Sequence, residues 1–150
     1  MHRILFVCHG NICRSPMAEC VMKDLVARKG VEGNFWINSA ATSTEEIGNP
    51  IHHGTRQKLA EEGVPVCWHR AVRMEKADYA RYDLILGMDG ANIRHILRIV
   101  GDDPAGKVKR LLDLSARPRD IADPWYTGNF DVTYDDIVEG CTALLAALTE

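Results

Sequence analysis

The chain has 150 residues, the length of one ordinary domain, and we predict a single domain over residues 1–150. A net charge of −3 argues against general attraction to nucleic acid or to an anionic membrane surface. No apolar stretch approaches the roughly 20 residues of a membrane span, and no secretory leader pattern follows Met1, so we expect a cytoplasmic protein with no membrane partner. Disulfides are rare in that compartment, and with five cysteines we expect at least one reactive thiol.

Apolar runs and helical patterns alternate along the chain. An apolar strand over residues 2–7 is followed by a turn-like stretch, and Pro16 fits the first position of a helix that Gly30 ends. The elements predicted after it are strand 35–39, helix 51–62, strand 83–88, a helix capped by Asp89, strand 108–112, a long loop over 115–129 and a helix from Tyr134 to Leu148. This order indicates an α/β fold, a three-layer sandwich in which helices flank a Rossmann-like, four-stranded parallel sheet. Ligands of such sheets bind outside the carboxyl ends of the strands, where the turn after the first strand lies.

The segment from Cys8 to Ser15 has the residues of a phosphate-binding loop. A tight loop that enters a helix directs successive backbone N–H groups into one concavity, and the helix dipole adds positive charge. Gly10 lets the backbone bend and approach a ligand, and Asn11 tolerates left-handed angles and can tie the loop together. Arg14 supplies a planar fork that matches two phosphate oxygens.

The same loop predicts a nucleophilic sulfur at Cys8. Helix N-termini and nearby cations favour the thiolate, which is the reactive form of a cysteine, and the Ser15 hydroxyl would hydrogen-bond that sulfur and ease its departure. Five residues separate Cys8 from Arg14, a spacing that arises by chance in many chains. The prediction therefore depends on the combination of this pair with Gly10, Asn11 and Ser15 in a loop between a strand and a helix.

These residues carry a family resemblance. The segment Val7–Glu19 resembles the signature of the low-molecular-weight protein tyrosine phosphatases, and the similarity continues at Ser39–Ser43, Glu46–Pro50, Met88–Asp89 and Asp123–Tyr126. The resemblance implies a four-stranded parallel sheet flanked by helices, no cofactor, no metal and hydrolysis through a phosphocysteine intermediate. It also implies a tyrosine-phosphorylated protein or peptide as substrate and inhibition by oxyanions such as phosphate or vanadate.

Expulsion of an oxygen leaving group needs a proton donor, and a loop carboxylate is the natural candidate. From the residues alone the candidates stay open, namely Asp123, Asp120, Asp131, Asp135 and Asp136. The resemblance implies that Asp123 is the acid of the first step and the base that activates water in the second.

Trp125 and Tyr126 follow Asp123 directly and are predicted to form a slot for a phosphotyrosyl ring, which phosphoserine is too short to use. Glu45 stands where eukaryotic members of the family usually have an aromatic side chain. We therefore expect the wall of the slot opposite Trp125 and Tyr126 to be more acidic than in those members, and the peptide preference to differ. The other predicted substrate contacts come from the loop itself, at His9, Gly10, Asn11, Ile12, Cys13 and Ser15.

The resemblance also implies supporting roles around the loop. Ser39 and His69 are expected to hydrogen-bond the loop through Asn11. Apart from the resemblance, Cys13 lies in the same loop, five residues from Cys8, and we expect the two sulfurs to form a reversible disulfide that protects the nucleophile from irreversible oxidation. Trp36, Trp68 and the Cys67 thiol are predicted to serve packing.

The sequence supports three alternative functions less well than phosphotyrosine hydrolysis. Arsenate reduction on this scaffold needs further relay cysteines, and residues 70–140 contain none. Phosphoarginine phosphatases of this type tend to have Thr at the position of Ile12 and a smaller acid loop. A non-catalytic phosphate-binding or redox-sensing module would not need Cys8, Arg14 and Asp123 together.

Overall fold

The computed structural model describes residues 1–149. Its strands are β1 (His2–Cys8), β2 (Phe35–Ala41), β3 (Leu84–Gly87) and β4 (Val108–Arg110). Its helices are α1 (Arg14–Lys29), α2 (His53–Glu61), α3 (Asp78–Arg81), α4 (Gly90–Val100), α5 (Pro124–Thr127) and α6 (Phe130–Thr149). All strand pairs are parallel and the strand order is β2-β1-β3-β4, which confirms the predicted α/β fold. None of the helices within residues 1–149 is long and apolar enough to cross a bilayer.

The central strand β1 is buried on both faces, as its continuous apolar sequence predicts. Ile4, Phe6 and Cys8 face one core cluster, to which α1 and α6 contribute. Leu5 and Val7 face a second cluster, to which α4 contributes. Because strand side chains alternate between faces, Cys8 ends the central strand on the α1 side, at the carboxyl edge of the sheet.

The structure differs from the predicted elements at several boundaries. The helix α1 begins at Arg14 rather than at Pro16, and β4 is shorter than predicted because a 3₁₀ turn takes over at Leu111–Leu114. Two one-turn helices, α3 and α5, were not predicted. In α5 the Asp123 side chain accepts a hydrogen bond from the Trp125 N–H, and this cap stabilises a helical turn inside the predicted loop.

The prediction that Cys67 is a packing thiol is wrong, because Cys67 is joined to Cys20 by a disulfide. The two cysteines are 47 residues apart in sequence, but α1 and the segment after α2 bring their Cα atoms to 5.4 Å. Trp36 does pack, in a stacked contact with Tyr82. Trp68 does not, since it is 86% exposed and contacts the Arg70 guanidinium.

Candidate active site

The segment between β1 and α1 forms a loop at the carboxyl edge of the sheet. Asn11 is the residue with a left-handed backbone, at φ 59°, and it therefore makes the sharp bend. Gly10 does not have a positive φ, so its predicted role in the bend is wrong. A Cβ at position 10 would lie 3.4 Å from Glu46 Cγ, so glycine keeps this wall of the loop open instead.

The Cys8 sulfur faces two hydrogen-bonding groups. The Ser15 hydroxyl oxygen lies 3.0 Å from Sγ, and the Asn11 backbone N–H donates to Sγ over 3.3 Å. Ser15 Oγ already accepts from Asn11 Nδ2 at 2.7 Å, so its own proton is free to point at the sulfur. An anionic sulfur is the form that these donors stabilise.

The Asn11 side chain joins the loop to the rest of the molecule. Its Nδ2 donates to Ser15 and to Ser39 Oγ at 3.0 Å, and its Oδ1 accepts from His69 Nε2 at 2.6 Å and from the Val72 N–H at 3.1 Å. The amide is buried and uses all of its hydrogen-bonding positions. The strained loop conformation is thereby held in one shape.

A buried carboxylate stands behind this network. Glu19 on α1 accepts from Ser39 Oγ at 2.6 Å and from Lys23 Nζ at 2.6 Å, and its Oε1 lies 3.5 Å from His69 Nδ1. Burial lowers the pKa of His69, against the attraction of Glu19, so the ring is neutral at neutral pH. Its proton is on Nε2, because the Asn11 oxygen can only accept.

Arg14 is almost completely buried and is fixed from one side. Its Nη1 donates to Asp89 Oδ2 at 2.7 Å and to the Ile121 carbonyl oxygen at 2.9 Å. Burial disfavours the guanidinium charge, but the Cys8 sulfur and the Asp89 carboxylate together raise the pKa of Arg14 above its ordinary value. Burial likewise opposes the charge on Asp89, yet the hydrogen bonds from Arg14 and the Asn92 N–H lower the pKa of Asp89. Both groups are therefore charged at neutral pH.

Asp123 faces the same cation. Its Oδ2 lies 3.5 Å from Arg14 Nη2, while its Oδ1 caps α5. Asp123 lines the cavity above the loop, and the other four candidate aspartates do not. Three of them are held elsewhere, since Asp131 pairs with Lys58 at 2.7 Å, Asp136 pairs with Arg119 at 2.7 Å and Asp120 pairs with Arg110 at 3.0 Å.

The cavity collects most of the predicted site residues. It is lined by Cys8, His9, Gly10, Ile12, Cys13, Arg14, Glu45, Glu46, Asp123, Trp125 and Tyr126. The two aromatic side chains are exposed at the rim. His9 Nε2 lies 2.9 Å from Glu45 Oε2, which places an acidic group on the cavity wall. The cavity is thus bounded by the cap of α5 on one side and by an acidic wall on the other.

Cys13 is chemically different from Cys8 although both line the cavity. Burial first, and then the negative sulfur of Cys8, raise the pKa of Cys13 to about 12. Its thiol therefore stays protonated at neutral pH.

The remaining predicted residues lie one layer behind the cavity. Asn11 and Ser15 contact the sulfur from below, and Ser39 and His69 contact Asn11. The sequence interpretation missed Asp89 as the partner of Arg14 and Glu19 as the partner of Ser39. Asp89 could have been found, because it follows β3 directly and the carboxyl ends of neighbouring parallel strands meet at one edge.

Comparison with known proteins agrees with this geometry. A family model described as low molecular weight phosphotyrosine protein phosphatase matches residues 3–150. The low molecular weight protein-tyrosine-phosphatase YfkJ of Bacillus subtilis is 41% identical over 150 residues, which cover 99% of this chain and 96% of that protein. The crystal structure of YfkJ aligns with a TM-score of 0.95 over 99% of this chain and 94% of that chain. The human low molecular weight phosphotyrosine protein phosphatase is 39% identical over 147 residues, covering 95% of this chain and 92% of that protein.

A Drosophila arginine phosphatase has the same fold, with a TM-score of 0.89 and 26% identity over 98% of both chains. The fold by itself therefore does not select the phosphorylated residue. The match along nearly the whole chain confirms the resemblance inferred from the motifs. The chain belongs to the low molecular weight phosphotyrosine protein phosphatase family, whose members are hydrolases.

Proposed function

We propose that the protein hydrolyses phosphotyrosine in proteins or peptides, and small aryl phosphates, through a phosphocysteine intermediate on Cys8. The observation that carries this proposal is the Cys8 sulfur at the cavity floor, with the Ser15 hydroxyl at 3.0 Å and the Asn11 N–H at 3.3 Å. Arg14 stands in the same cavity with Nη1 fixed by Asp89 and Ile121. Its other nitrogens are then available to bind two phosphoryl oxygens.

In the first step the Cys8 thiolate attacks phosphorus and the bond to the aryl oxygen breaks. Asp123, protonated for this step, gives its proton to the departing oxygen, so that the product leaves as a phenol. The positive charge of Arg14 and the loop N–H groups stabilise the charge on the equatorial oxygens.

In the second step a water molecule attacks phosphorus and Asp123 takes its proton. The bond between sulfur and phosphorus breaks, inorganic phosphate leaves, and Cys8 returns to the thiolate. The Ser15 hydroxyl eases this departure because it hydrogen-bonds the developing negative charge on sulfur.

The cavity walls favour an aryl phosphate. Trp125 and Tyr126 stand at the rim above Cys8 and offer flat surfaces to a phenyl ring. Phosphate and vanadate would compete for the same loop, and the reaction would need no metal or cofactor. A cytoplasmic location is also part of this proposal, and the Cys20–Cys67 disulfide, a bond that is rare in that compartment, is the observation that speaks against it.

The proposal is tested with p-nitrophenyl phosphate, phenyl phosphate, a phosphotyrosyl peptide and a phosphoarginyl peptide, each with and without EDTA. We expect hydrolysis of the first three without metal, and no turnover by Cys8→Ser. Asp123→Ala should lose roughly 10²-fold or more in kcat/KM on phenyl phosphate and much less in kcat/KM on p-nitrophenyl phosphate, because the better leaving group needs no proton and kcat/KM does not include the later hydrolysis of the intermediate. Asp131→Ala, the same change outside the cavity, is the matched control.

A preference for the phosphoarginyl peptide would replace phosphotyrosine by phosphoarginine as the substrate. If Asp123→Ala lost kcat/KM equally on phenyl phosphate and on p-nitrophenyl phosphate, Asp123 would not be the general acid.

A further inference from the structure

A cationic groove lies beside the active site without a role in the proposed chemistry. It is lined by Thr42, Arg73, Lys76, His95, Arg98 and Ile99. The residues come from the end of β2, from the segment before α3 and from α4. None of them lines the cavity above Cys8.

The positive charges of the groove are not neutralised within residues 1–149. Arg73, Lys76 and Arg98 are exposed, and within that range no carboxylate forms an ion pair with them or with His95. The neighbouring Glu75 pairs with Arg81 instead, at 3.3 Å. In a chain with a net charge of −3, this is a local site for an anion.

The floor of the groove supplies a second, independent observation. Thr42 is buried, and its hydroxyl has no hydrogen-bond partner within the described part of the chain. Buried polar side-chain atoms are nearly always hydrogen-bonded, so an exception calls for a partner. The hydroxyl oxygen is closed off from solvent in this conformation, so an anionic group in the groove would accept this hydrogen bond only after the Thr42 side chain rotates toward it.

The groove is connected to the reaction centre through the backbone. The Thr42 N–H donates to the Cys8 carbonyl at 3.0 Å, and the Ser43 N–H donates to the His9 carbonyl at 3.1 Å. Arg73 is held beside the end of β2 by the bridge between Ala41 and Arg73. Thr42, at one end of the groove, is therefore one backbone hydrogen bond away from Cys8.

We propose that the groove is a subsite for an anionic group of the substrate, a carboxylate or a second phosphoryl group on the chain that flanks the phosphotyrosine. The proposal rests on the proposed function and names the class of peptide that the site prefers.

The test compares three phosphotyrosyl peptides of equal length, with flanking Asp and Glu, with flanking Asn and Gln, and with one flanking phosphoserine. The readout is the ratio of kcat/KM between an anionic peptide and the neutral one. We expect a ratio of about three to ten in the wild type, since exposed charge pairs contribute little each, and a smaller ratio as salt is added. The larger of the two anionic ratios identifies whether carboxylate or phosphoryl is the preferred group.

The double variant Lys76→Gln/Arg98→Gln should bring both ratios close to one. Arg94→Gln is the matched control, because Arg94 is an exposed cation on the same helix that does not line the groove. A wild-type ratio near one, or a ratio that falls equally in Arg94→Gln and in the double variant, would overturn the proposal.

Binding measurements keep this test separate from the proposed reaction. If the wild type hydrolysed none of the peptides, the proposed function would fail. The ratio of dissociation constants for the same peptides on the Cys8→Ser protein does not depend on turnover, so it would still report on the groove. Equal affinities of Cys8→Ser for all three peptides would refute the subsite.

Discussion

The Arg14 guanidinium is placed among negative groups before any substrate is present. Asp89 holds Nη1, Asp123 faces Nη2, and the Cys8 sulfur adds to the attraction that raises the pKa of Arg14. These groups compensate for the burial of its charge. An arriving phosphoryl group would take the place of Asp123 at Nη2, while Asp89 keeps the fork oriented. Asp89 is therefore a positioning residue in our account.

We predict that Asp89→Asn lowers kcat/KM by roughly 10- to 100-fold, because a charge-assisted hydrogen bond contributes about 1.5–3 kcal/mol. Asparagine still caps α4, but the buried Arg14 charge loses one of its compensating carboxylates, so we expect the free energy of unfolding to fall as well. Asp83→Asn is the control, since Asp83 pairs with Arg3 at the other end of the strands. Steady-state kinetics and denaturant unfolding of both variants check this prediction. Equal kcat/KM in Asp89→Asn and the wild type would contradict it.

Cys13 supplies a protonated thiol beside the nucleophile. Peroxide would oxidise the Cys8 thiolate to a sulfenic acid, and condensation with the Cys13 thiol would form a disulfide and release water. We predict that wild-type activity lost to peroxide returns on addition of a thiol reductant, whereas Cys13→Ala loses activity irreversibly. Recovery of both proteins to the same extent would refute this role of Cys13.

At the scale of secondary-structure elements, Arg119 fastens the segment that carries Asp123 onto α6. Its guanidinium contacts Glu139 through two hydrogen bonds, at 2.9 and 3.0 Å, and contacts Asp136 at 2.7 Å. The hydrogen bonds from Arg119 are the main cause that lowers the pKa of Glu139 from 4.5 to about 2. A carboxylate with a lowered folded-state pKa adds stability above pH 4.5 and loses it as the pH falls toward about 2.

We therefore predict that Arg119→Gln lowers the unfolding temperature modestly at neutral pH, because exposed ion pairs contribute little to stability. The difference from the wild type should shrink as the pH falls from 4.5 to about 2. Thermal unfolding across this pH range measures the effect. A difference that stays constant over the range would show that Arg119 acts through packing instead of charge.

The disulfide between Cys20 and Cys67 links α1 to the segment that carries His69. It closes a loop of 47 residues, for which the loss of unfolded-chain entropy corresponds to about 4 kcal/mol. His69 follows Cys67 by two residues and donates to Asn11, so this crosslink also restrains the loop around Cys8.

We predict that dithiothreitol lowers the denaturant midpoint of the oxidised wild type by an amount equivalent to about 2–4 kcal/mol. Cys67→Ser should have the low midpoint already and should not respond to the reductant, which makes it the matched control. A wild-type midpoint that is the same with and without reductant would show that the crosslink does not stabilise the fold.

On the scale of the whole molecule, local patterns in the sequence predict most of the fold. The apolar run of β1, the alternation of strands and helices and the stripe of α6 each depend on near neighbours, and all are present. The one-turn helices α3 and α5 were missed because four residues give no period to recognise.

The candidate site, like the fold, is predictable where it depends on local sequence motifs. Cys8, Arg14 and Asp123 could be predicted from the motifs, and the structure brings them to one cavity. The supporting contacts could not all be predicted, because the contact of Glu19 with Ser39 and the Cys20–Cys67 link join segments that lie far apart in sequence. The left-handed backbone of Asn11 agrees with the prediction from its residue type, whereas Gly10, the other residue predicted to help the loop bend, has no positive φ.

The central claim is that phosphorus becomes bonded to the Cys8 sulfur during turnover. Asp123→Ala, which should react with p-nitrophenyl phosphate and then hydrolyse the intermediate slowly, is mixed with that substrate, quenched and digested. We predict that mass spectrometry finds one phosphoryl group on the peptide containing Cys8, and none when Cys8→Ser is treated in the same way. Turnover of the substrate with no phosphoryl group on that peptide at any quench time would contradict the account.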